Sequence, residues 1–362
     1  MRYVLWGDGD SPHLLKWARA LSAEGGAVFD GFELWAASSR GFAPAFDALV
    51  PPSRRLALGT RPAFEGGNVA LLRQLPRFAR WLKQVKPAWV HAHYLTSHGT
   101  LAWLAQRLFG VRAPLVGSAW GSDILQAPER SAALRALTRR VLSACALTTS
   151  DSRHMAERMR ALGAREVMTF PFGLESMPPA AEAKRSRLFF ANRGLEVLYA
   201  PDRVLAVFAA IQARWWPDAQ LVVANDGALR EALERQAQAL GLAEAVQFTG
   251  RLDADAQALW YDRAQWYLSL PTSDSVSVSV LEAMAHGCIP LLSDLPANRE
   301  LVENGRNGLV LADGAMADAA RLDQLLTRAG DIAARNRAWV AEHALFAPSV
   351  RAFLQRLHEL AP

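Results

Sequence analysis

The chain has 362 residues, of which 51% are hydrophobic and 21% are charged, a balance typical of a globular protein long enough for two domains. This composition excludes disordered, collagen-like and disulfide-scaffold proteins. The net charge of +5 is uneven, with 22 Lys and Arg against 13 Asp and Glu in residues 1–175, and 18 against 22 in residues 176–362. The basic first half indicates an anionic partner for that half.

No run of about 18 uncharged apolar residues is present, and the opening apolar stretch runs directly into Gly7–Asp10, unlike a cleavable signal peptide. The two cysteines, Cys145 and Cys288, lie far apart in apolar segments. We expect buried free thiols in a reducing compartment rather than a disulfide or a metal site. These features predict a cytoplasmic protein.

Short apolar strands alternate with helical patterns in the first half. Tyr3–Trp6 is predicted to be a strand, the following helix is predicted to end at Gly25-Gly26, and Val28–Trp35 is predicted to be a second strand. A Pro-, Arg- and Gly-rich connection over 49–65 precedes an amphipathic helix over 69–85. Further strands are predicted at 88–92, 114–118 and 146–149.

The second half repeats this alternation after a polar break at 177–187. The pattern predicts two Rossmann-like α/β domains, 1–175 and 176–345, that face each other across a ligand-binding cleft. Strands are predicted at 188–191, 220–224, 245–248, 266–270, 289–292 and 308–311, with helices at 201–214, 228–240 and 278–286.

One segment of the second half combines a strand, a small polar loop and a helix that is predicted to begin near Ser277–Ser279. A helix N-terminus exposes unpaired N–H groups and can bind a diphosphate. Asp274 and Glu282 lie in the loop and in the first turns of the helix, where carboxylates can accept hydrogen bonds from ligand hydroxyls. The alternative is that Asp274 caps the helix and Glu282 is an ordinary surface residue.

The run Leu281-Glu282-Ala283-Met284-Ala285 follows an acidic residue eight positions before Glu282 and is itself followed by Gly287 and Pro290. This pattern resembles family 4 of the retaining glycosyltransferases, which have the GT-B fold of two Rossmann-like domains. The resemblance extends over about sixty residues, through Val246–Arg251, Ser293–Val302 and Asn304–Leu309.

The resemblance implies transfer of a hexose-type sugar from a nucleoside diphosphate sugar to a hydroxyl acceptor, without a bound metal. It implies that Glu282 holds the ribose, that Asp274 holds sugar hydroxyls in place of the family's longer Glu, and that N–H groups near Ser277 and Val278 meet the sugar or diphosphate. Arg193 matches a diphosphate-binding Arg. The family's accompanying Lys is absent, and Leu198-Tyr199-Ala200 occupies its place.

The first half carries histidines at the end of a predicted strand. His91 and His93 point the same way on that strand, but no third metal ligand has suitable spacing. The resemblance implies that His93 lies near the transferred sugar and is catalytic, while a structural role is the alternative. Trp120 stands where many relatives have a sugar-contacting His, so either its ring packs on sugar or the chain uses Asp123 or His93 differently. We expect Trp120 and Asp123 to lie on the acceptor or sugar side of the site.

The loop after the first strand contains Asp8, Asp10 and His13, which we expect to contact the acceptor. The alternative is that its glycines only make a tight turn. Carboxylates make this loop a poor phosphate site.

The predicted helix over 69–85 presents a basic face, which is either simply solvated or docks on the anionic inner face of a membrane. No signature of nucleic-acid binding accompanies the charge. By analogy with the family, the last helix, within 346–362, is expected to pack back on the first domain. The basic residues are Arg73, Arg77, Arg80, Lys83 and Lys86.

Two other functions fit the same fold. A nucleotide-sugar epimerase that hydrolyses its donor would release free sugar without an acceptor. A non-catalytic nucleotide- or glycan-binding subunit is suggested by the missing Lys and by Trp120.

Overall fold

The computed structural model describes residues 1–60, 69–181, 183–315 and 318–361. The described residues form two compact units, one from Met1–Phe170 with Phe346–Pro362 and the other from Pro171–Leu345. The boundary between the two units follows residue 170, whereas the sequence predicted a domain boundary after residue 175. Part of the predicted connection over 49–65 lies outside the described residues.

The first unit is built on a seven-stranded sheet, all parallel, in the order β3-β2-β1-β4-β5-β6-β7. Its strands are β1 Arg2–Gly7, β2 Glu33–Ser38, β3 Arg55–Ala57, β4 Trp89–His93, β5 Leu115–Ser118, β6 Cys145–Ser150 and β7 Val167–Thr169. Its α-helices before residue 171 are α1 Pro12–Val28, α2 Val69–Arg73, α3 Leu75–Val85, α4 Thr100–Phe109, α5 Ser122–Leu125, α6 Ala127–Arg130, α7 Ala132–Ala144 and α8 Arg153–Ala161. Short 3-10 helices span Pro44–Ala48 and Pro52–Arg54, and a π-helical turn spans Leu95–Gly99.

The glycine pair does not end α1, and the predicted strand over 28–35 begins later, at Glu33. Gly25 is needed for packing, because a Cβ there would lie 2.3 Å from Cδ1 of Phe32. Local propensity alone predicts a helix stop at this glycine pair, and the tertiary contact with Phe32 overrides that preference.

The predicted helix over 69–85 is two helices, α2 and α3, separated at Gln74. Pro76 stands in the first turn of α3, where its missing N–H costs no hydrogen bond, but inside a continuous helix it would break one. The five predicted basic residues are exposed along these helices and at Lys86, which follows α3.

The second unit is built on a six-stranded parallel sheet in the order β10-β9-β8-β11-β12-β13. Its strands are β8 Arg185–Ala191, β9 Gln220–Ala224, β10 Val246–Gly250, β11 Ala264–Ser269, β12 Ile289–Ser293 and β13 Leu309–Leu311. Its α-helices are α9 Pro201–Arg214, α10 Arg230–Ala239, α11 Ala254–Arg263, α12 Val278–Ala285, α13 Pro296–Leu301, α14 Ala319–Leu326 and α15 Ala329–His343, and a 3-10 turn spans Val197–Tyr199.

The last helix, α16 Phe346–Glu359, belongs to the first unit and packs on α1. The buried indole of Trp17 lies edge-on to Phe346 and Phe353, with ring centroids 5.0 and 5.4 Å away. Arg356 makes a bidentate ion pair with Glu166, with 2.6 Å from Nε to Oε1 and 2.9 Å from Nη2 to Oε2.

Both sheets have buried apolar faces, and both cysteines are buried and free. Burial raises the pKa of Cys145 to about 12 and that of Cys288 to about 11, so both thiols stay protonated. Among the described residues, none of the helices has the length and apolar character needed to cross a bilayer.

Candidate active site

In the second unit, the carboxyl ends of β8 and β11 and the start of α12 bring together four residues that we call the Arg193 cluster: Arg193, Tyr199, Asp274 and Ser277. Arg193 Nη2 lies 2.8 Å from Asp274 Oδ2, and their side chains are only 15% and 22% exposed. The other Nη atom of Arg193 donates to the Ser277 hydroxyl. The guanidinium is therefore held at the first turn of α12.

Tyr199 completes the cluster, because its ring lies against the Arg193 guanidinium with 4.4 Å from Cζ to the ring centroid. This cation–π contact is stronger for a partly buried pair than for an exposed one. Tyr199 belongs to the three residues that occupy the place of the family's missing Lys. In place of a second cation, the structure thus has a residue that holds the first cation in position.

Ionisation in the cluster is set by burial and by the ion pair. Burial raises the pKa of Asp274, and the Arg193 guanidinium and the N–H of Ser275 oppose that rise. Burial lowers the pKa of Arg193, but the carboxylate of Asp274 outweighs burial and raises it above its ordinary value. Arg193 therefore keeps its positive charge at any physiological pH.

Ser277 is the N-cap of α12, yet its side chain does not cap the helix and instead accepts from Arg193. The first N–H groups of α12, at Val278 and its neighbours, point out of the helix end as in any α-helix. Arg193 and this helix end together place positive charge and N–H donors at one location, which is the arrangement that binds phosphate.

Glu282 lies half-buried one turn further along α12, within a hydrogen-bonded chain that sequence analysis did not predict. Its Oε2 accepts from the Tyr261 hydroxyl at 3.1 Å. That hydroxyl accepts from Asn192 at 2.8 Å, and the Asn192 Oδ1 accepts from Tyr267 at 2.7 Å. Burial raises the pKa of both tyrosines well above 10, so they remain donors. Nothing in the local sequence around Tyr261 signals this contact, because the helix α11 that carries it is distant in the chain.

In the first unit, the carboxyl ends of β1, β4 and β5 bring together a second group, which we call the histidine cluster: His13, His91, His93, His98 and Trp120. His91 is a structural residue, since its two ring nitrogens contact the Tyr3 and Ser118 hydroxyls at 2.9 and 2.6 Å. Burial lowers the pKa of His91 to about 3. No group of three or more His, Cys, Asp or Glu within the described ranges is placed to hold a metal ion.

His93 is buried, and the indole N–H of Trp120 donates to its Nδ1 at 3.1 Å. An accepting Nδ1 carries no proton, so the proton of this neutral ring is on Nε2. Burial, followed by the nearby His91, His98 and His13, lowers the pKa of His93 well below its ordinary value. Its Nε2 has no hydrogen-bond partner among the described residues. His93 is therefore a neutral donor whose tautomer is set by Trp120.

Trp120 lies among aromatic rings, with centroids 4.4 Å from His13 and 5.9 Å from Tyr94. Asp123 fixes this loop and is buried, with Oδ1 accepting from the N–H of Trp120 and Oδ2 from that of Leu95, both at 2.9 Å. Burial raises the pKa of Asp123 and the two N–H groups oppose the rise. The carboxylate predicted to contact sugar is thus used to join the ends of β4 and β5.

Asp8 is also buried and already paired. The Ser39 hydroxyl donates to it, and His98 Nε2 lies 3.3 Å from its Oδ1. Burial raises its pKa, but His98, Ser39 and Arg40 together hold it below the ordinary value. A Cβ on Gly9 would lie 2.6 Å from the Gly41 carbonyl oxygen, so this glycine allows a close backbone contact.

Asp10 is exposed beside Arg40, whose Nη1 lies 3.3 Å away. His13 is half-buried against Trp120. Of the loop residues predicted to contact an acceptor, these two are the ones that reach the surface.

Two parallel sheets, each packed against helices of its own unit, form the fold of the GT-B glycosyltransferases. Residues 9–173 match the family model described as glycosyl transferase 4-like domain, and residues 175–338 match the one described as glycosyl transferases group 1. The two matches together cover most of the chain, which therefore belongs to the GT4-type glycosyltransferases.

Among its relatives, D-inositol 3-phosphate glycosyltransferase 2 of Catenulispora acidiphila is 30% identical over 278 residues, which cover 65% of this chain and 62% of the relative. The chain spans less than two thirds of the length of the curated relatives it matches.

Two solved structures share the fold over nearly the whole chain. Sucrose-phosphate synthase from Thermosynechococcus elongatus superposes with a TM-score of 0.78 at 14% identity, covering 99% of both chains. HepE of Anabaena in complex with UDP-glucose has a TM-score of 0.76 at 15% identity, covering 99% of this chain and 100% of HepE. At these identities the likeness shows the fold alone.

Proposed function

We propose that the protein transfers a hexose-type sugar from a nucleoside diphosphate sugar to a hydroxyl acceptor, with retention of anomeric configuration, in the synthesis of a glycan, polysaccharide or glycolipid. The observation that carries the proposal is the placement of Arg193 at the first turn of α12, with Asp274 and Glu282 on either side of that helix end. The UDP-glucose complex of the similar HepE structure supports UDP as the first nucleotide to test.

The Arg193 cluster would act by exchanging partners. In the structure Asp274 pairs with Arg193, and this ion pair holds both side chains in place. A diphosphate would take the guanidinium and the N–H groups at Val278, because an arginine fork and a helix N-terminus both favour phosphate oxygens. Asp274 would then be released to accept hydrogen bonds from sugar hydroxyls.

The main catalytic role of the protein would be to stabilise the diphosphate as a leaving group. Charge that develops on the leaving oxygen would meet Arg193 and the positive end of α12, both fixed before the reaction starts. These groups supply the positive charge, so we propose that turnover needs no bound metal. Activity that persists in excess EDTA would support this, and strict dependence on added Mg²⁺ or Mn²⁺ would contradict it.

Glu282 would hold the ribose through its carboxylate, with Tyr261 fixing its orientation. In the first unit, the Nε2–H of His93 would donate a hydrogen bond to a sugar hydroxyl near the reacting centre, since its proton position and neutrality suit a donor rather than a base. Trp120 and His13 would provide a ring surface for sugar, and Asp10 a hydroxyl acceptor.

We also propose that the five basic residues Arg73, Arg77, Arg80, Lys83 and Lys86 contact an anionic membrane, where a lipid-linked acceptor would be met. All five are exposed, and none makes an ion pair with a described residue. The charge on this face is therefore available to phosphate headgroups.

The deciding experiment is calorimetric binding of UDP, GDP, dTDP and ADP to the wild-type protein and to Glu282→Ala, with Glu244→Ala as a control carboxylate on the surface of the second unit. We expect one nucleotide to bind, and the Glu282→Ala variant to bind about 10- to 100-fold more weakly, since a hydrogen bond to a charged group contributes roughly 1.5–3 kcal/mol. Equal binding by wild type and Glu282→Ala would contradict the donor assignment.

Turnover separates the related functions. Transfer to an added acceptor supports the proposal, release of free sugar without acceptor supports an epimerase or hydrolase, and tight nucleotide binding without turnover of any donor supports a non-catalytic binding subunit.

A further inference from the structure

A surface depression of about 400 Å³ lies between α4 and α7 of the first unit, and no predicted site residue lines it. Trp103 and Arg107 are four residues apart on α4, so they share one helix face. Arg139 and Arg140 face them from α7, near its C-terminal end. The remaining lining residues are Ser143 and Ala144.

Three arginines lining one depression need an explanation, because none of them has an acidic partner among the described residues. Arg135, on the same helix α7, pairs with Glu129 at 2.9 Å, whereas Arg107, Arg139 and Arg140 are exposed and pair with no described carboxylate. Arg107 lies in the last turn of α4, where the negative end of the helix dipole favours a cation. Arg139 and Arg140 precede the last turn of α7, so the dipole does not account for them.

The surrounding sequence lacks carboxylate residues over two long stretches. No Asp or Glu occurs between Glu65 and Asp123, or between Glu129 and Asp151. These two stretches contain α2, α3, α4 and α7, and α4 packs against both α3 and α7. Helix α4 lines the depression and packs against α3, and none of these four helices carries an acidic side chain.

Apolar side chains are exposed on the same helices. Leu108, next to Arg107, is 67% exposed, and Val69 and Leu72 on α2 are 55% and 46% exposed. Trp103 is half-buried at the rim of the depression. Cations with neighbouring exposed aliphatic and indole groups suit a lipid surface better than a soluble anion, since the apolar groups would gain contact with acyl chains.

The depression is separate from the histidine cluster. It lies where α4 and α7 end, immediately before β5 and β6 begin, and thus near the amino ends of the strands. His93 is the last residue of β4 and Trp120 follows β5, so both lie at the opposite, carboxyl ends of these strands. A ligand in the depression would therefore not be the reacting group of the acceptor.

We propose that Arg107, Arg139 and Arg140 form a binding site for the phosphate headgroup of an anionic phospholipid, with Trp103 and Leu108 contacting the bilayer interface. Arginine forks can each hold two phosphate oxygens, and three of them around one concave surface fix a headgroup rather than merely attracting negative charge. This proposal extends the membrane contact proposed for α3 to a discrete site, and it does not depend on the donor chemistry.

The test is co-sedimentation of the full chain with two kinds of vesicle. One contains phosphatidylcholine alone, and the other contains phosphatidylcholine with about 30 mol% phosphatidylglycerol, which makes its surface anionic. Arg107, Arg139 and Arg140 are replaced together by Gln in one variant and by Lys in another. A control triple variant, Arg214→Gln with Arg235→Gln and Arg321→Gln, removes the same charge from exposed positions of the second unit.

We expect wild-type binding only to the anionic vesicles. The Gln variant should lose about 100-fold in partition coefficient, from about 1 kcal/mol per basic residue near the surface, and the control should change less than about two-fold. The Lys variant keeps the charge but not the fork, and should lose several-fold. Nucleotide binding by calorimetry should be equal in all variants, which separates failure of this site from failure of the donor site.

Three results would overturn the proposal. Vesicle binding of the Gln variant equal to that of wild type would show that the depression does not meet the membrane. Full binding by the Lys variant would reduce the site to diffuse attraction. Saturable binding of inorganic phosphate or pyrophosphate without any vesicle binding, abolished in the Gln variant, would assign the depression to a soluble anion.

Discussion

The carboxyl ends of the two sheets present opposite kinds of chemistry. In the second unit, Arg193 and Asp274 form a charged pair at a helix N-terminus, and Glu282 is oriented by Tyr261. In the first unit, the corresponding ends of β4 and β5 present the buried, neutral His93 hydrogen-bonded to the half-buried Trp120. The comparison teaches that the same strand–loop–helix geometry can carry either a charge that binds a phosphate or an uncharged donor set suited to hydroxyls.

The largest expected effect tests the charged side of this comparison. Arg193→Ala should lower kcat by roughly 100- to 1,000-fold, the cost typical of removing one preorganised donor from a leaving group. Steady-state kinetics on the identified donor would measure it. Arg187→Ala, which removes an exposed Arg from the same strand β8, is the matched control and should stay within about two-fold. A loss below about five-fold in Arg193→Ala would mean that another cation holds the diphosphate.

The neutral side of the comparison predicts a pH dependence of stability. His91 and His93 take up protons below about pH 6.5 in the unfolded chain but stay neutral in the fold, because burial lowers their pKa. Acid therefore favours the unfolded state. The contribution of the two neutral rings to the free energy of unfolding is complete above about pH 6.5. It is lost as pH falls toward about 3 for His91, at up to about 1.4 kcal/mol per pH unit for each ring.

Hydrogen exchange at pH 7.5, 6.5 and 5.5, corrected for intrinsic rates, would compare β4 in the first unit with β11 in the second. We expect protection of β4 to fall more steeply below pH 6.5. His93→Asn should flatten that slope, and equal slopes in the two strands would contradict the assignment of buried neutral histidines.

The Trp120–His93 hydrogen bond gives a third, smaller effect. Trp120→Phe keeps an aromatic ring but leaves Nδ1 of a buried His93 without its donor, which costs about 1–3 kcal/mol of unfolding free energy. Urea unfolding would measure this. Trp81→Phe, in a half-buried indole on α3, controls for loss of ring volume. If Trp120→Phe is no less stable than this control, the tautomer of His93 is set by something else.

The smallest expected effect concerns Tyr199, the residue that stands in place of the family's Lys. Tyr199→Leu removes the ring from Arg193 and should reduce kcat/KM by roughly 2- to 30-fold, from a cation–π contribution of about 0.5–2 kcal/mol. Tyr199→Phe keeps the ring and should retain most of the activity. A positioning role predicts that kcat falls while calorimetric binding of the nucleotide alone changes less, and equal losses in both would instead indicate direct contact with the diphosphate.

Local sequence predicted most elements of the second unit closely. The helix over 201–214 and the strand over 220–224 match α9 and β9 residue for residue, and α12 begins at Val278 as expected. The reason is physical: a short apolar run bounded by turn residues and a helix with its own N-terminal signals are specified by neighbours in the chain. The predicted helix start pointed to Asp274 and Glu282, and the resemblance to the glycosyltransferase family pointed to Arg193.

Other features were decided by residues far apart in the chain. Gly25 lies inside α1 because Phe32 packs against it, Asp123 joins two loops through backbone N–H groups, and Asp8 pairs with His98. The amino-acid sequence by itself determined the α/β alternation, the family and the positions of the charged site residues. Only the tertiary structure decided which of those residues are paired, which nitrogen of His93 holds its proton and which arginines share a depression, because these depend on distances between elements that no local pattern encodes.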